Sequence, residues 1–285
     1  MSLPDNAGTD RYRTRTTTRA APFERTDPAV WGPMESDGLA AFESEGFLVF
    51  EELLDPGAVV DLRAEIGRLA DDPAWDDDGR STIGSGSDEA HSVFGIHRLS
   101  PLVTEVARES RILELVGHIL GSVAYLHQSR ADFFPGFHGS GCYWHSDFEM
   151  WHAEDSMPTP RAVSLVIALS DHTPHNGSPM LMPGSHRTFV PCPPGSPAKH
   201  SRESLREQQI GVPAAADIAE LAHKHGITQF TGRAGAALLF DSNLMYGSSN
   251  NITPFPRSSL VLVFNSEENR PVDSDSADSV FGPAR

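Results

Sequence analysis

Only two cysteines, Cys142 and Cys192, occur in the 285 residues of the sequence. A disulfide framework is therefore not the basis of the fold, and so few cysteines fit a reducing compartment. The sequence also lacks an apolar run long enough to span a membrane, and its N-terminus lacks an apolar segment of signal-peptide length. We therefore expect a cytoplasmic protein with no membrane partner.

Basic residues are scarce as well, because 22 lysines and arginines stand against 39 aspartates and glutamates, for a formal net charge of −17. An acidic surface repels phosphate backbones, so nucleic acid is not an expected partner. The 39% hydrophobic and 21% charged residues are an ordinary globular balance. One domain with a sizeable core is the expected organisation, although two small domains and a homodimer both remain open.

The composition changes along the chain. Residues 1–30 are polar and rich in threonine and arginine, and are predicted to form a flexible arm, with an anion-binding tail as the alternative. Residues 31–266 are predicted to form a single domain, and the Ser- and Asp-rich residues 267–285 a disordered tail. The domain should begin with helices, one opening at Asp55-Pro56 and one capped by Ser100-Pro101 and running to about Gly121. Their predicted inner residues are Val59, Leu62, Ile66 and Leu69 in the first helix and Val106, Leu113 and Val116 in the second.

Short apolar runs follow, separated by clusters of glycine, proline, asparagine and serine. They lie at 123–126, 163–169, 180–182, 236–240 and 260–264, in addition to an earlier strand at 47–50. This pattern is typical of an antiparallel sandwich or barrel. A helical insert is predicted within 201–226, with Ile218 and Leu221 facing inward. The predicted fold is mainly β with flanking helices, built on a double-stranded β-helix of the jelly-roll, cupin-like type.

The segment 143–149, YWHSDFE, carries the residues with the most chemical content. On an extended strand, residues two apart share a face, which would bring the side chains of His145 and Asp147 together. An imidazole and a carboxylate are two of the three ligands of a facial iron site. The triplet alone is weak, since His145 could equally be a core histidine that Asp147 orients.

The surrounding residues resemble a known signature. Residues 145–155, HSDFEMWHAED, are similar to the signature of ectoine hydroxylases within the phytanoyl-CoA hydroxylase superfamily. The resemblance continues in order through HQSR at 127–130, PGF at 135–137, NG at 176–177, MPGSH at 182–186, GVP at 211–213 and GSSNNITPFPRS at 247–258. It implies a 2-oxoglutarate-dependent dioxygenase that binds Fe(II), O2 and a small, amino-acid-like substrate.

The resemblance also implies a set of site residues. His145 and Asp147 match two iron ligands, and Arg257 matches the arginine that holds the distal carboxylate of 2-oxoglutarate. A planar guanidinium suits a carboxylate because it donates two parallel hydrogen bonds. The alternative, purely structural roles are a surface salt bridge for Arg257 and ordinary core packing for Trp151. The other matched positions are Ser248, Ser164 and Gln128 for the co-substrate and Arg130, Asp132, Cys142 and Trp151 for the substrate pocket, which Gln128 adjoins.

The sequence departs from the signature at the third metal ligand. The family has a histidine just before the Gly-Ser of the closing motif, and this chain has Tyr246. A phenol has a free pKa of about 10 and becomes a good ligand only when a metal ionises it. Three outcomes are open: Tyr246 binds the metal as a catalytic His-Asp-Tyr site, it turns away and water takes its place, or the protein binds small molecules without catalysis.

Further departures concern the substrate. Cys142, Met150 and Ser156 replace phenylalanine, threonine and glycine of the signature, and Asp132 and Phe134 replace asparagine and lysine. A lost aromatic and a new acid beside Arg130 change the shape and charge of the inferred pocket, so ectoine itself is not the expected substrate. The reaction could be hydroxylation, desaturation or ring closure. A non-catalytic binding protein and a jelly-roll enzyme with another metal are the rival functions.

Overall fold

The structure is a computed structural model that describes residues 17–18, 36–70, 81–83, 90–137, 139, 141–192 and 212–271. The α-helices within these ranges are α1 (Ser36–Glu45), α2 (Pro56–Ala70), α3 (Pro101–Ala107), α4 (Ser110–Leu120), α5 (Asp147–Asp155) and α6 (Ala215–His225). The strands there are β1 (Thr17–Thr18), β2 (Phe47–Phe50), β3 (Ser81–Ile83), β4 (Ala90–Phe94), β5 (Ala124–Phe134), β6 (Cys142–His145), β7 (Ala162–Ala168), β8 (Pro179–Leu181), β9 (Thr188–Phe189), β10 (Thr228–Gln229), β11 (Ala237–Asp241), β12 (Tyr246–Ser248) and β13 (Arg257–Ser266).

Two antiparallel sheets form the core of the molecule. The larger has seven strands in the order β2-β11-β7-β13-β5-β4-β3, and the smaller has four in the order β10-β8-β12-β6. Neighbouring strands are mostly distant in sequence, which is typical of a jelly roll. The predicted double-stranded β-helix with flanking helices is confirmed.

Alternation along the strands gives the large sheet two different faces. On β13, Leu260 and Leu262 join the cluster that packs against the helices, whereas Val261 and Val263 join a second cluster. That second cluster includes Leu181 of β8 and is contacted by Tyr246 of β12, so it lies between the two sheets. The cleft between the sheets is therefore where residues from both can meet.

Helices α1 to α4 cover the outer face of the large sheet. The four predicted inner residues of α2 are all buried, and Leu221 of α6 is buried in a separate cluster with Met182 and Met245. The second predicted helix is wrong in detail, because it breaks between Ala107 and Ser110 into α3 and α4. The restart shifts the helical phase, so that Ile112 is buried and Leu113 is exposed.

The domain extends past its predicted end at residue 266. Asn269 is buried, and its amide nitrogen donates to the carbonyl oxygen of Thr159 at 2.7 Å. The predicted arm at 1–30 lies outside the described residues apart from β1, which pairs with β9. Residues 201–211 of the predicted insert and the end of the tail from 272 also lie outside them. Among the described residues, no helix is long and apolar enough to cross a membrane.

Gly226, which ends α6, offers a test of the backbone. It has φ +73° and ψ −177°, a conformation that essentially only glycine adopts, and a Cβ added there would meet no atom within 4 Å. We therefore expect Gly226→Ala to lower the free energy of unfolding by about 1–3 kcal/mol through backbone strain alone. As the matched control, Gly67→Ala within α2 also fills open space and should raise it by about 0.5–1 kcal/mol. Equal effects of the two variants in chemical denaturation would contradict this reading.

Candidate active site

His145 and Asp147, the candidate metal ligands, lie at the junction between β6 and α5. β6 ends at His145, Ser146 caps the helix by accepting a hydrogen bond from the backbone N–H of Glu149 at 3.3 Å, and Asp147 is the first helical residue. The expectation that His145 and Asp147 share one face of a strand is thus wrong. They come together because the chain turns at the cap.

The ring of His145 is oriented by the backbone. Its Nδ1 lies 2.7 Å from the carbonyl oxygen of Tyr143, which can only accept, so Nδ1 carries the proton. In the neutral form that metal binding requires, the lone pair is on Nε2, which lies 3.9 Å from Oδ1 of Asp147. That distance is too long for a hydrogen bond, so Asp147 does not act as an orienting partner for His145. Although burial works to lower it, Cys142 and Asp147 raise the pKa of His145 to about 9, so a metal ion would displace a proton from Nε2.

The carboxylate of Asp147 is buried and receives hydrogen bonds on both oxygens. Tyr246 donates from its hydroxyl to Oδ1 at 2.7 Å, and Ser164 donates to Oδ2 at 2.8 Å. Ser164, which the sequence placed near the co-substrate, therefore contacts the carboxylate of the candidate metal ligand Asp147. The two donors come from opposite sheets, β12 and β7, so the carboxylate links them.

Tyr246 lies beside His145, as its position in the closing motif implies. The two residues are paired across β12 and β6, and their ring centroids are 4.3 Å apart. Phe240 of β11 packs on the other side, with its centroid 4.8 Å from that of Tyr246. Burial, and then the negative charge of Asp147, raise the pKa of Tyr246 well above its ordinary value. Without a metal, Tyr246 is therefore a neutral phenol that donates to Asp147.

His145 and Asp147 suit a metal ion, whereas Tyr246 in its neutral form does not. The free Nε2 of His145 and the carboxylate of Asp147 are a suitable pair of donors, and their separation is within the span of two bonds of about 2 Å each. Tyr246 stands at the third position and can serve there only after losing its proton. His145 and Asp147 would hold the ion, with Tyr246 as the candidate third ligand.

Arg257 is a buried cation without a hydrogen-bonded counter-ion. Its side chain is 4% exposed, its guanidinium lies 3.6 Å above the ring of Phe134, and its Nε has no hydrogen-bond partner. Burial lowers the pKa of Arg257 to about 10, which still leaves it charged at neutral pH. The surface salt bridge considered from the sequence is therefore wrong. A cavity of about 310 Å³ borders Arg257 on the helix side of the large sheet, where Arg63 and Ile66 of α2 also line it.

A second arginine, Arg130, is paired with an acid of its own strand. Its Nε donates to Oδ1 and Oδ2 of Asp132 at 3.1 and 3.0 Å, and its Nη1 donates to Oε1 of Gln128 at 3.2 Å. Although burial works to lower the pKa of Arg130, Asp132 raises it overall. Ser92, on the neighbouring strand β4, donates to Oδ1 of Asp132 at 2.7 Å.

The remaining predicted residues lie around these groups. Ser248 accepts a hydrogen bond from the backbone N–H of Cys142 at 3.0 Å, and the thiol of Cys142 is 3.9 Å from Nδ1 of His145. Trp151 of α5 is buried in the cluster between the sheets and meets the ring of His127 edge-on, at 5.2 Å between centroids. Trp151 therefore packs in the core and also lies beside the cleft.

Sequence reasoning missed several contacts of this site. Ser146 and Glu149 have the Ser-x-x-Glu spacing of a helix cap, a signal that would have placed Asp147 in a helix. Ser92, and the carbonyl of Tyr143 on His145, carry no local signal. Their contacts depend on strand pairing and on the chain path.

The fold and the site together define a jelly-roll protein with a candidate non-haem iron site between its sheets. The profile of the family "Phytanoyl-CoA dioxygenase (PhyH)" matches residues 42–259. The chain therefore belongs to the phytanoyl-CoA dioxygenase family, and the membership expected from the sequence is confirmed.

Individual relatives are similar over nearly the whole chain. "Ectoine dioxygenase" of Nocardia farcinica is 58% identical over 264 residues, which cover 93% of this chain and 89% of the relative. The crystal structure of EctD from S. alaskensis with bound Fe is 40% identical, with a TM-score of 0.78, and the match covers 90% of this chain and 85% of that one. The structure of the same protein with 2-oxoglutarate and 5-hydroxyectoine has a TM-score of 0.75 at the same identity and coverage.

Replacing Tyr246 tests the metal site. Tyr246→His supplies an imidazole that binds a metal in its neutral form, whereas ionising even a free phenol at pH 7 costs about 4 kcal/mol. We therefore expect Tyr246→His to bind Fe(II) at least about tenfold more tightly than the parent in anaerobic calorimetry. Tyr143→His, at an exposed side chain of β6, is the matched control and should leave the affinity unchanged. An unchanged affinity in Tyr246→His would mean that position 246 does not face the metal.

Proposed function

We propose that this chain is an iron(II)- and 2-oxoglutarate-dependent dioxygenase that oxidises a C–H bond of a small amino-acid-like substrate. One observation carries the proposal: a partly buried imidazole beside a buried carboxylate, together with a buried arginine whose Nε has no partner, occurs in a chain that is 40% identical to a protein crystallised with Fe and with 2-oxoglutarate. The donor types and the free cation are those that such a metal and such a dicarboxylate need.

Each residue then has a distinct task. When bound, iron with O2 and 2-oxoglutarate supplies the oxidising power for C–H cleavage. His145 and Asp147 hold the ion, and Ser164 orients the carboxylate of Asp147 by its hydrogen bond. Tyr143 orients His145 through its carbonyl oxygen, so that Nε2 keeps its lone pair. Arg257 binds the distal carboxylate of 2-oxoglutarate.

The substrate is a small molecule of the same chemical kind as ectoine, and hydroxylation is the expected outcome. It lies between the sheets, beside Trp151 and the β5 side chains Gln128 and Arg130. The walls of this space differ in character from the ectoine hydroxylase signature at Cys142 and Asp132. Ectoine is therefore not the preferred substrate in this proposal.

A second function is favoured by the two hydrogen bonds that Asp147 accepts. Tyr246 and Ser164 satisfy both oxygens of Asp147 without any metal, so the buried carboxylate is stable in the metal-free protein. Such a site suits a protein that binds small molecules without catalysis. Release of succinate from 2-oxoglutarate by the iron-loaded protein supports the enzyme, and tight 2-oxoglutarate binding without succinate supports the binding protein.

The cytoplasmic location and the possible homodimer remain predictions from the sequence. Cys142 and Cys192 are both free thiols, in agreement with the reducing cytoplasm expected from the sequence. A homodimer can be tested by light scattering at several protein concentrations.

Arg257→Ala should weaken 2-oxoglutarate binding by about 2–4 kcal/mol, because a charge-assisted, two-point contact in a buried site is lost. Arg257→Lys keeps the positive charge but cannot donate two parallel hydrogen bonds, so its 2-oxoglutarate affinity should fall between those of the parent and the alanine variant. The measurement is calorimetry with the metal-loaded protein, and Arg233→Ala, at an exposed arginine, is the control. Equal 2-oxoglutarate affinity in the parent and Arg257→Ala would remove Arg257 from the site.

Assayed side by side, this protein should release succinate with ectoine at least about tenfold more slowly than EctD from S. alaskensis. A polar pocket rejects a molecule that leaves its groups unpaired, and Asp132 and Cys142 alter the groups that a ligand meets. The measurement is ectoine-dependent succinate release at saturating 2-oxoglutarate and O2. Rates that match would show that the pocket substitutions do not affect ectoine.

A further inference from the structure

An ion pair on β5 has no role in the metal and co-substrate contacts proposed above. Arg130 and Asp132 are two residues apart, so their side chains share one face of the strand, and they are only 20% and 14% exposed. Ala131 and Phe133, which alternate with them on β5, pack in the cluster that faces the helices, so Arg130 and Asp132 face the cleft between the sheets. The pair therefore forms part of the wall that a substrate meets.

The carboxylate of Asp132 is held in place from two directions. Ser92 donates to Oδ1 from β4, and Arg130 donates to both oxygens along β5. Asp132 lies opposite Ser92 on one side and Ser259 on the other, in the body of the seven-stranded sheet. The Asp132 carboxylate is therefore held by side chains of its own strand and of the neighbouring strand β4.

The two arginines on this sheet are therefore not equivalent. Arg257 has no hydrogen-bonded partner on its Nε, whereas Nε and Nη1 of Arg130 are taken by Asp132 and Gln128. A carboxylate that approaches Arg130 must displace Asp132 or lie beside it. Displacing Asp132 breaks its charge-assisted hydrogen bonds with Arg130. Binding beside Asp132 brings two negative charges together in a poorly solvated space, so both arrangements are unfavourable.

We propose that Asp132 determines the charge class of the substrate. By neutralising Arg130, it disfavours a substrate with a carboxylate at the β5 wall and favours one whose group there is uncharged or cationic. This is selectivity by a repulsive element, built into the cleft itself. The inference rests on the proposed function for the location of the substrate, but the contacts that carry it do not involve the metal or Arg257.

A pair of ligands that differ in one group provides the test. Pipecolate and its carboxamide share a ring ammonium, and differ only in a carboxylate against a neutral amide. We expect calorimetry with the metal-loaded parent, at saturating 2-oxoglutarate, to show tighter binding of the carboxamide. Asp132→Asn keeps the shape and the contact with Ser92 but frees Arg130. It should shift the ratio of the two dissociation constants toward the carboxylate by about 10- to 100-fold.

Two further variants separate this effect from a structural one. Asp132→Asn combined with Arg130→Gln removes the freed guanidinium, so the gained preference for the carboxylate should disappear. Asp61→Asn makes the same change of net charge on an exposed face of α2 and should leave the ratio as in the parent. Thermal melting of every variant checks that each one is folded.

The inference is overturned if Asp132→Asn leaves the ratio unchanged, if the parent prefers the carboxylate, or if neither ligand binds the parent. The affinity for 2-oxoglutarate, measured in the same samples, separates this failure from failure of the proposed function. Intact 2-oxoglutarate binding that depends on Arg257, with an unshifted ratio, removes only the role of Asp132. A parent that does not bind 2-oxoglutarate removes the proposed function as well.

Discussion

Burial of the Asp147 carboxylate is the constraint on which the centre of this structure depends. A carboxylate that is 3% exposed is stable only if its oxygens are bonded. Ser164 on β7 and Tyr246 on β12 supply the two donors, so the same group that offers a metal ligand also joins the two sheets. The phenol in the third-ligand position is thus part of the architecture in the metal-free state, and metal binding there competes with a formed hydrogen bond.

The same electrostatic rule sorts the arginines of the cleft. A charged group inside a protein is stabilised by a partner, and one without a partner indicates a ligand. Arg130 is matched within its own strand by Asp132, while Arg257 is held over an aromatic ring. On a chain with a net charge of −17, a buried arginine whose Nε has no partner is a specific place for an anionic group to bind. In the proposed function, the different positions of Arg257 and Arg130 on the sheet separate the co-substrate from the substrate.

Much of the fold could be predicted, because apolar runs of the right length are local signals. The strands at Phe47–Phe50, Ala162–Ala168 and Ala237–Asp241 lie within a residue or two of the predicted runs. The helix α2 was predicted down to its buried residues. The second helix was not, since the break between Ala107 and Ser110 leaves the apolar pattern almost intact. Only packing on the sheet shows that Ile112, and not Leu113, faces the core.

The sequence by itself determined the family, the jelly-roll core and the residue types of the site, because motif order and apolar periodicity are properties of the chain alone. It also showed that a tyrosine stands where the signature has a histidine. The tertiary structure decided what these residues do to one another. Asp147 begins a helix, Tyr246 donates to it across the sheets, and Asp132 faces Arg130 while Arg257 keeps a free Nε. The pair of Arg130 and Asp132 follows from alternation along one strand, whereas the other contacts join groups brought together by strand register or by a turn of the chain, and such distances are set only when the whole sheet is assembled.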